Sequence, residues 1–100
     1  MLYSFYNIDA PGTDLRATLR PVHRAYLAKF AEQFAFAGPL LAEDGVTPVG
    51  SLLVLDFENI EEADVFIKGE PYTAAGLYAS ASVRPYLNLW PQRKGFPKPR

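Results

Sequence analysis

The sequence predicts an α+β fold with the element order β-α-β-β-α-β, on three observations. Residues 2–8 and 49–57 are aromatic or aliphatic runs bounded by turn residues, which read as strands. Residues 15–34 and 60–67 repeat apolar side chains at spacings of three and four, as amphipathic helices do. Residues 78–89 alternate in character, as a half-buried strand does. A chain of 100 residues has room for one domain around one core.

Each element has a local reason. LYSFYNI (2–8) runs into Asp9-Ala10-Pro11-Gly12, a strand followed by a turn. Thr13 or Asp14 caps the next element, whose face carries Leu15, Leu19, Val22, Tyr26, Phe30 and Phe34. Pro21 lies within that helix and predicts a bend or a restart near Arg20, because proline lacks the N–H of a helix interior. AFAGPLLA (35–42) is a second strand, with Gly38-Pro39 marking a bulge or an edge. EDGVTP is a turn, and VGSLLVLDF (49–57) the third strand. Asn59 with Glu62 resembles a capping box opening a helix with Ile60, Ala63, Phe66 and Ile67 inward, closed by Gly69. After Glu70-Pro71 a short helical stretch reaches Leu77. In the last strand Ala79, Ala81, Val83, Leu87 and Leu89 share one face. This order is the split pattern of ferredoxin-like antiparallel sheets.

Two helices cover one face of such a sheet. Leu52-Leu53-Val54-Leu55 is nonetheless apolar on both faces, so a second cover is needed. A twofold homodimer, sheet against sheet, would supply it. The expected domain spans residues 1–90. Residues 91–100, PQRKGFPKPR, follow as a basic, proline-rich tail, either an arm for an anion or a solvated terminus.

Composition narrows the function classes. Net charge is −1, and residues 1–90 hold six bases against eleven acids, so no nucleic-acid partner is expected. The strands also lack the basic-aromatic pattern of RNA-binding sheets. No apolar run approaches the roughly 20 residues of a membrane span, and the first residues lack a secretory leader. With no cysteine, the expectation is a cytosolic protein without disulfides or a thiol nucleophile. One histidine makes a zinc site unexpected. Neither a Walker loop nor GxGxxG occurs, so no cofactor is expected.

Several blocks resemble one family. They are MLYSFYNID, Arg16-x-x-x-Arg20-Pro21-x-His23, Ala37-Gly38-Pro39, Gly50-Ser51, Asn59-Ile60-Glu61-Glu62-Ala63, Glu70-Pro71-Tyr72-x-Ala74-Ala75-Gly76-Leu77-Tyr78 and Val83-Arg84-Pro85-Tyr86. In this order and spacing the chain resembles YciI-like (YCII-related) proteins to about residue 90. The resemblance implies a ferredoxin-like fold paired into a dimeric α+β barrel, with a histidine and an acid facing a cleft. Some members are associated with dehydrochlorination of chlorinated hydroxyquinols, and related barrels with muconolactone isomerisation. Glu70 stands where the family usually has aspartate. It keeps the charge and adds a methylene, so a bond to His23 requires the backbone to adjust.

The candidate residues follow. His23, the only histidine, lies beside the helical apolar stripe. Imidazole titrates nearest neutrality of the side chains and suits proton transfer, though a core-edge histidine with one backbone bond would look the same. Glu70 sits between a glycine and a proline and would orient His23 or act as base; otherwise it is a solvated loop acid. Arg16 and Arg20 share a helix face, one turn apart. They would bind a carboxylate, phenolate or phosphate through their rigid donor forks, or pair with Asp9, Asp14 or Glu61. Ser51 follows Gly50, where a missing Cβ permits close approach, and would donate a hydrogen bond. No Gly-x-Ser-x-Gly elbow surrounds it, so it is not read as a nucleophile. Tyr72 and Tyr26 would wall an aromatic pocket or belong to the core. Together these residues suggest a cofactor-independent isomerase or lyase acting on a small anionic or aromatic ligand. The alternative is a non-catalytic small-molecule-binding dimer.

Overall fold

The structure is a computed structural model and describes residues 1–99. Its strands are β1 (Leu2–Asp9), β2 (Phe34–Leu41), β3 (Pro48–Asp56) and β4 (Tyr78–Tyr86). Its helices are α1 (Leu15–Thr18), α2 (Arg20–Ala28), α3 (Ile60–Gly69) and α4 (Pro71–Ala74), with a 3₁₀ turn at Ala31–Gln33. The strands form one four-stranded sheet in the order β2-β3-β1-β4, every neighbouring pair antiparallel. The expected α+β, ferredoxin-like architecture is therefore present.

Period-two alternation decides what each face carries. On β1, Tyr3, Phe5 and Asn7 point to the helices, and they pair in register with Leu55, Leu53 and Ser51 of β3. Phe66 of α3 anchors the core above them, with ring centroids 5.2 Å from Phe5, 4.8 Å from Phe30 and 5.5 Å from Phe57. Gly50 is required by the sheet itself, because a Cβ there would lie 2.3 Å from the backbone oxygen of Asn7. The close approach read from Gly50 is thus to a neighbouring strand.

Some local expectations hold and others need correction. The helical stretch of 15–34 restarts at Arg20, as Pro21 implied, with Pro21 in the first turn of α2, but α2 ends at Ala28 and does not reach Phe34. The last turn tightens through Lys29 N–H to Tyr26 O and Phe30 N–H to Leu27 O, which turns the chain toward β2. Of the two caps the sequence offered, Thr13 makes the side-chain bond, accepting from Leu15 N–H at 3.1 Å, and Asp14 makes none. Ile60 is 37% exposed rather than inward, because it occupies the first position of α3, outside the stripe. The Glu62 carboxylate accepts from Glu58 N–H instead of closing the box on Asn59, whose side chain accepts from Glu62 N–H. Finally β4 stops at Tyr86, leaving Leu87 and Leu89 exposed. Strand β2 is an edge as expected, but its register shifts flank Gly38-Pro39 instead of falling on it.

Candidate functional site

The break before Arg20 determines the site. Restarting the helix there puts Arg20, His23, Arg24 and Leu27 on one face, at spacings of three, four and seven. That face looks across at Ala37-Gly38-Pro39 of β2 and Pro48, Ser51 and Leu53 of β3, and the two sides enclose a cavity of about 410 Å³. Its lining holds three arginines and one histidine but no acid.

His23 and Glu70 meet. The imidazole Nδ1 is hydrogen-bonded to Glu70 Oε1. Glu70 is 0% exposed and opens α4, accepting from Tyr72 N–H at 3.1 Å and Thr73 N–H at 3.2 Å. A carboxylate fed by two backbone donors acts as acceptor, so Nδ1 carries the hydrogen it shares with Glu70. This leaves Nε2 without a partner among the described residues. The backbone does accommodate the extra methylene of Glu70, and the solvated-acid reading is excluded by burial. Tyr72 stacks on His23, with centroids 3.9 Å apart and planes 10° apart, and fixes the ring plane. Its own hydroxyl donates to the carbonyl of Arg16 at 2.9 Å.

The two sequence-flagged arginines part company. Arg16 is held by Asp9, with Nε to Oδ2 and Nη2 to Oδ1 both at 2.7 Å, and its guanidinium lies 4.9 Å from the Tyr72 ring centroid. The Asp9 bonds raise its already high pKa, against a smaller opposing effect of burial. Arg16 Nη2 also donates to Ser51 Oγ at 3.0 Å. Arg20 makes no ion pair among the described residues and stays exposed at the cavity wall. Ser51 is buried, 3% exposed, and lines the cavity. Tyr26 belongs to the core, donating to Phe66 O at 2.8 Å.

Three participants escaped the sequence reading as site groups. Arg24 had a signal, its spacing of four from Arg20. Asp9 and Tyr78 end β1 and open β4, and they are register partners across the sheet. The Tyr78 hydroxyl lies 3.1 Å from Ser51 Oγ. Burial pushes the Tyr78 phenol up to about 12, with the Ser51 hydrogen bond acting the other way, so it is neutral near pH 7. Among the described residues no three or more His, Cys, Asp or Glu side chains are grouped to hold a metal ion. None of the described helices is long and apolar enough to cross a membrane.

The YCII-related domain model matches residues 1–87. The chain belongs to this family. Protein YciI of Escherichia coli O6:H1 is 35% identical over 98 residues, covering 90% of this chain and all of that protein. An uncharacterized protein of Haemophilus influenzae is 32% identical over the same lengths. Among solved structures, the 5-chloro-2-hydroxyhydroquinone dehydrochlorinase TftG of Burkholderia phenoliruptrix AC1100 superposes with a TM-score of 0.80. It is 30% identical and covers 87% of this chain and 94% of its own. That protein was solved in complex with 2,5-dihydroxybenzoquinone.

Proposed function

We propose that this YCII-related protein is a cofactor-independent proton-transfer enzyme, an isomerase or lyase, acting on a small anionic or aromatic compound. The observation that carries the reading is the imidazole of His23, bound through Nδ1 to a fully buried carboxylate, in a cavity lined by cations. Neutral Nε2 takes a proton from an acidic C–H of the ligand, and the C–H electron pair moves into the adjacent conjugated system. Returning that proton to another carbon completes an isomerisation. Expelling a leaving group with its electron pair completes an elimination. Glu70 stabilises the imidazolium formed meanwhile. Arg20 holds the anionic group, Ser51 a ligand oxygen, and Tyr72 the ring of His23. Arg16, tied to Asp9, acts on the ligand chiefly through Ser51. The dehydrochlorinase activity named for TftG supports this reaction class.

On this reading the working unit is a cytosolic homodimer of the 1–90 domain, needing no metal or organic cofactor, with the 91–100 tail outside the site. The binding-only alternative drew on the extra methylene of Glu70, and its contact with His23 weakens that motive.

The test is solvent exchange. Candidate hydroxyquinones and unsaturated acids are incubated with protein in D₂O, and deuterium uptake is followed by NMR. His23→Ala is expected to keep its circular dichroism spectrum and lose about 10²- to 10⁴-fold in exchange rate. Undiminished exchange in that variant would exclude the mechanism.

A further inference from the structure

We infer that Tyr78 and Arg16 fix the Ser51 hydroxyl as a hydrogen-bond donor aimed into the cavity, so the ligand places an acceptor oxygen there. A carbonyl, carboxylate or enolate oxygen accepts best, whereas a group that only donates, such as an ammonium, is not received. The inference rests on the cavity being the ligand site and specifies which functional group it receives.

A serine hydroxyl has one hydrogen and two acceptor positions. Arg16 Nη2, which has no lone pair to offer, fills one acceptor position at 3.0 Å. Asp9 locks that guanidinium in place through two bonds of 2.7 Å, so the donor does not swing away. The contact of 3.1 Å between Ser51 Oγ and the Tyr78 hydroxyl has two possible polarities. A phenol is the more acidic partner, hence the better donor and the poorer acceptor. With Tyr78 donating, both acceptor positions of Ser51 are occupied. Its hydrogen then has no acceptor among the described residues and points to the remaining direction, the cavity that Ser51 lines. The opposite polarity would spend the serine hydrogen on Tyr78, which does not line the cavity.

Two donors feeding one hydroxyl also polarise it, making it a stronger donor than a free serine. When His23 removes a proton next to a carbonyl, negative charge gathers on the carbonyl oxygen. A preset donor at that oxygen is the electrostatic complement of the step. Tyr78 and Arg16 are positioning residues, acting through Ser51.

A first measurement needs no ligand. The tyrosine Fermi doublet in the Raman spectrum, taken as wild type minus Tyr78→Phe, reports whether this phenol donates or accepts. A donor pattern is expected, and an acceptor pattern overturns the inference. The second uses 2,5-dihydroxybenzoquinone, titrated by its visible absorbance into wild type, Ser51→Ala, Tyr78→Phe and the double variant. Each single change is expected to weaken binding about tenfold, the size of one hydrogen bond. The double variant is expected to bind no worse than Ser51→Ala, since both remove the same donor. The quinone carbonyl stretch should move in Ser51→Ala and in Tyr78→Phe alike. Additive losses, or Tyr78→Phe binding like wild type while His23→Ala fails to bind, overturn this inference and leave the proton-transfer reading intact. Failure of the quinone to bind wild type removes the ligand-oxygen clause, and the Raman polarity then decides the hydroxyl geometry alone.

Discussion

Glu70 performs two tasks with one carboxylate: it caps α4 through Tyr72 and Thr73 N–H and it holds His23. The two tasks separate by length. Aspartate is among the best capping residues, so Glu70→Asp is expected to stay within about 1 kcal/mol of wild type in urea unfolding. In this backbone its carboxylate falls a methylene short of His23, and exchange activity should drop at least tenfold. Full activity in Glu70→Asp would show that capping is the whole task. Asn7 offers a converse case. Its side chain is 0% exposed, and neither amide atom has a partner among the described residues. Replacing a buried unpaired amide by an apolar side chain of similar volume removes a desolvation cost. Asn7→Leu is therefore expected to gain about 1 kcal/mol, which for a domain of this size raises Tm by about 4–8 °C. A lower Tm in calorimetry would mean the amide has a task of its own. His23 and Glu70 were legible as a pair through the resemblance to YciI-like proteins, which implies a histidine and an acid at a cleft; their local settings alone also fitted a core-edge histidine and a solvated loop acid. Asp9 and Tyr78 were not, because only the register of β1 against β4 brings them to Ser51.

At the level of elements, Pro21 matters more than helix propensity does. By forcing a restart at Arg20 it sets the phase of α2, and the phase decides which side chains face β2 and β3. The break was readable from the proline. The end of α2 was not, since the apolar spacing continues to Phe34, while Phe30 and Phe34 reach the core from the turn before the 3₁₀ segment and from β2. The EDGVTP turn between β2 and β3 was readable and has a titratable hinge pin. Asp44 accepts from Val46 N–H and Thr47 N–H, both at 2.9 Å, and from the Thr47 hydroxyl. The Thr47 hydroxyl first, then these N–H groups, hold its carboxyl down at about 2, against an ordinary value of 3.8. A depressed folded-state value means the stabilisation is whole above pH 3.8 and disappears as pH falls through about 2. Asp44→Ala is accordingly expected to be less stable than wild type near pH 6 and to converge with it near pH 2. Urea titrations at the two pH values measure this, and a constant gap would assign the loss to packing.

For the molecule as a whole, the deciding surface is the face of the sheet turned away from the helices. Alternation puts Leu2, Tyr6 and Ile8 of β1 there, beside Leu52 and Val54 of β3. Phe36 of β2 pairs with Val54, and its ring meets Tyr86 edge-on at 6.2 Å. Val54 is thereby 1% exposed, whereas Tyr6 remains 50% exposed. No helix crosses this side, so its cover among the described residues is partial: Val54 is buried, while Leu52 is only half-buried and Tyr6 stays half exposed. Pairing with a second copy through a twofold axis would bury the central strands on both faces and align two cavities symmetrically. Tyr6 lies between Leu52 and Ser82, near the middle of the face, where its symmetry mate would also come close. Tyr6→Glu would then place two carboxylates in an apolar contact, a cost that pairing cannot offset. Light scattering is expected to give the mass of a dimer for wild type and of a monomer for Tyr6→Glu, with β-sheet circular dichroism retained. The monomer should also melt at lower temperature, and its melting point should not depend on concentration as that of the dimer does. A wild-type mass equal to one chain, or a dimer untouched by the charge, would assign this face some other cover.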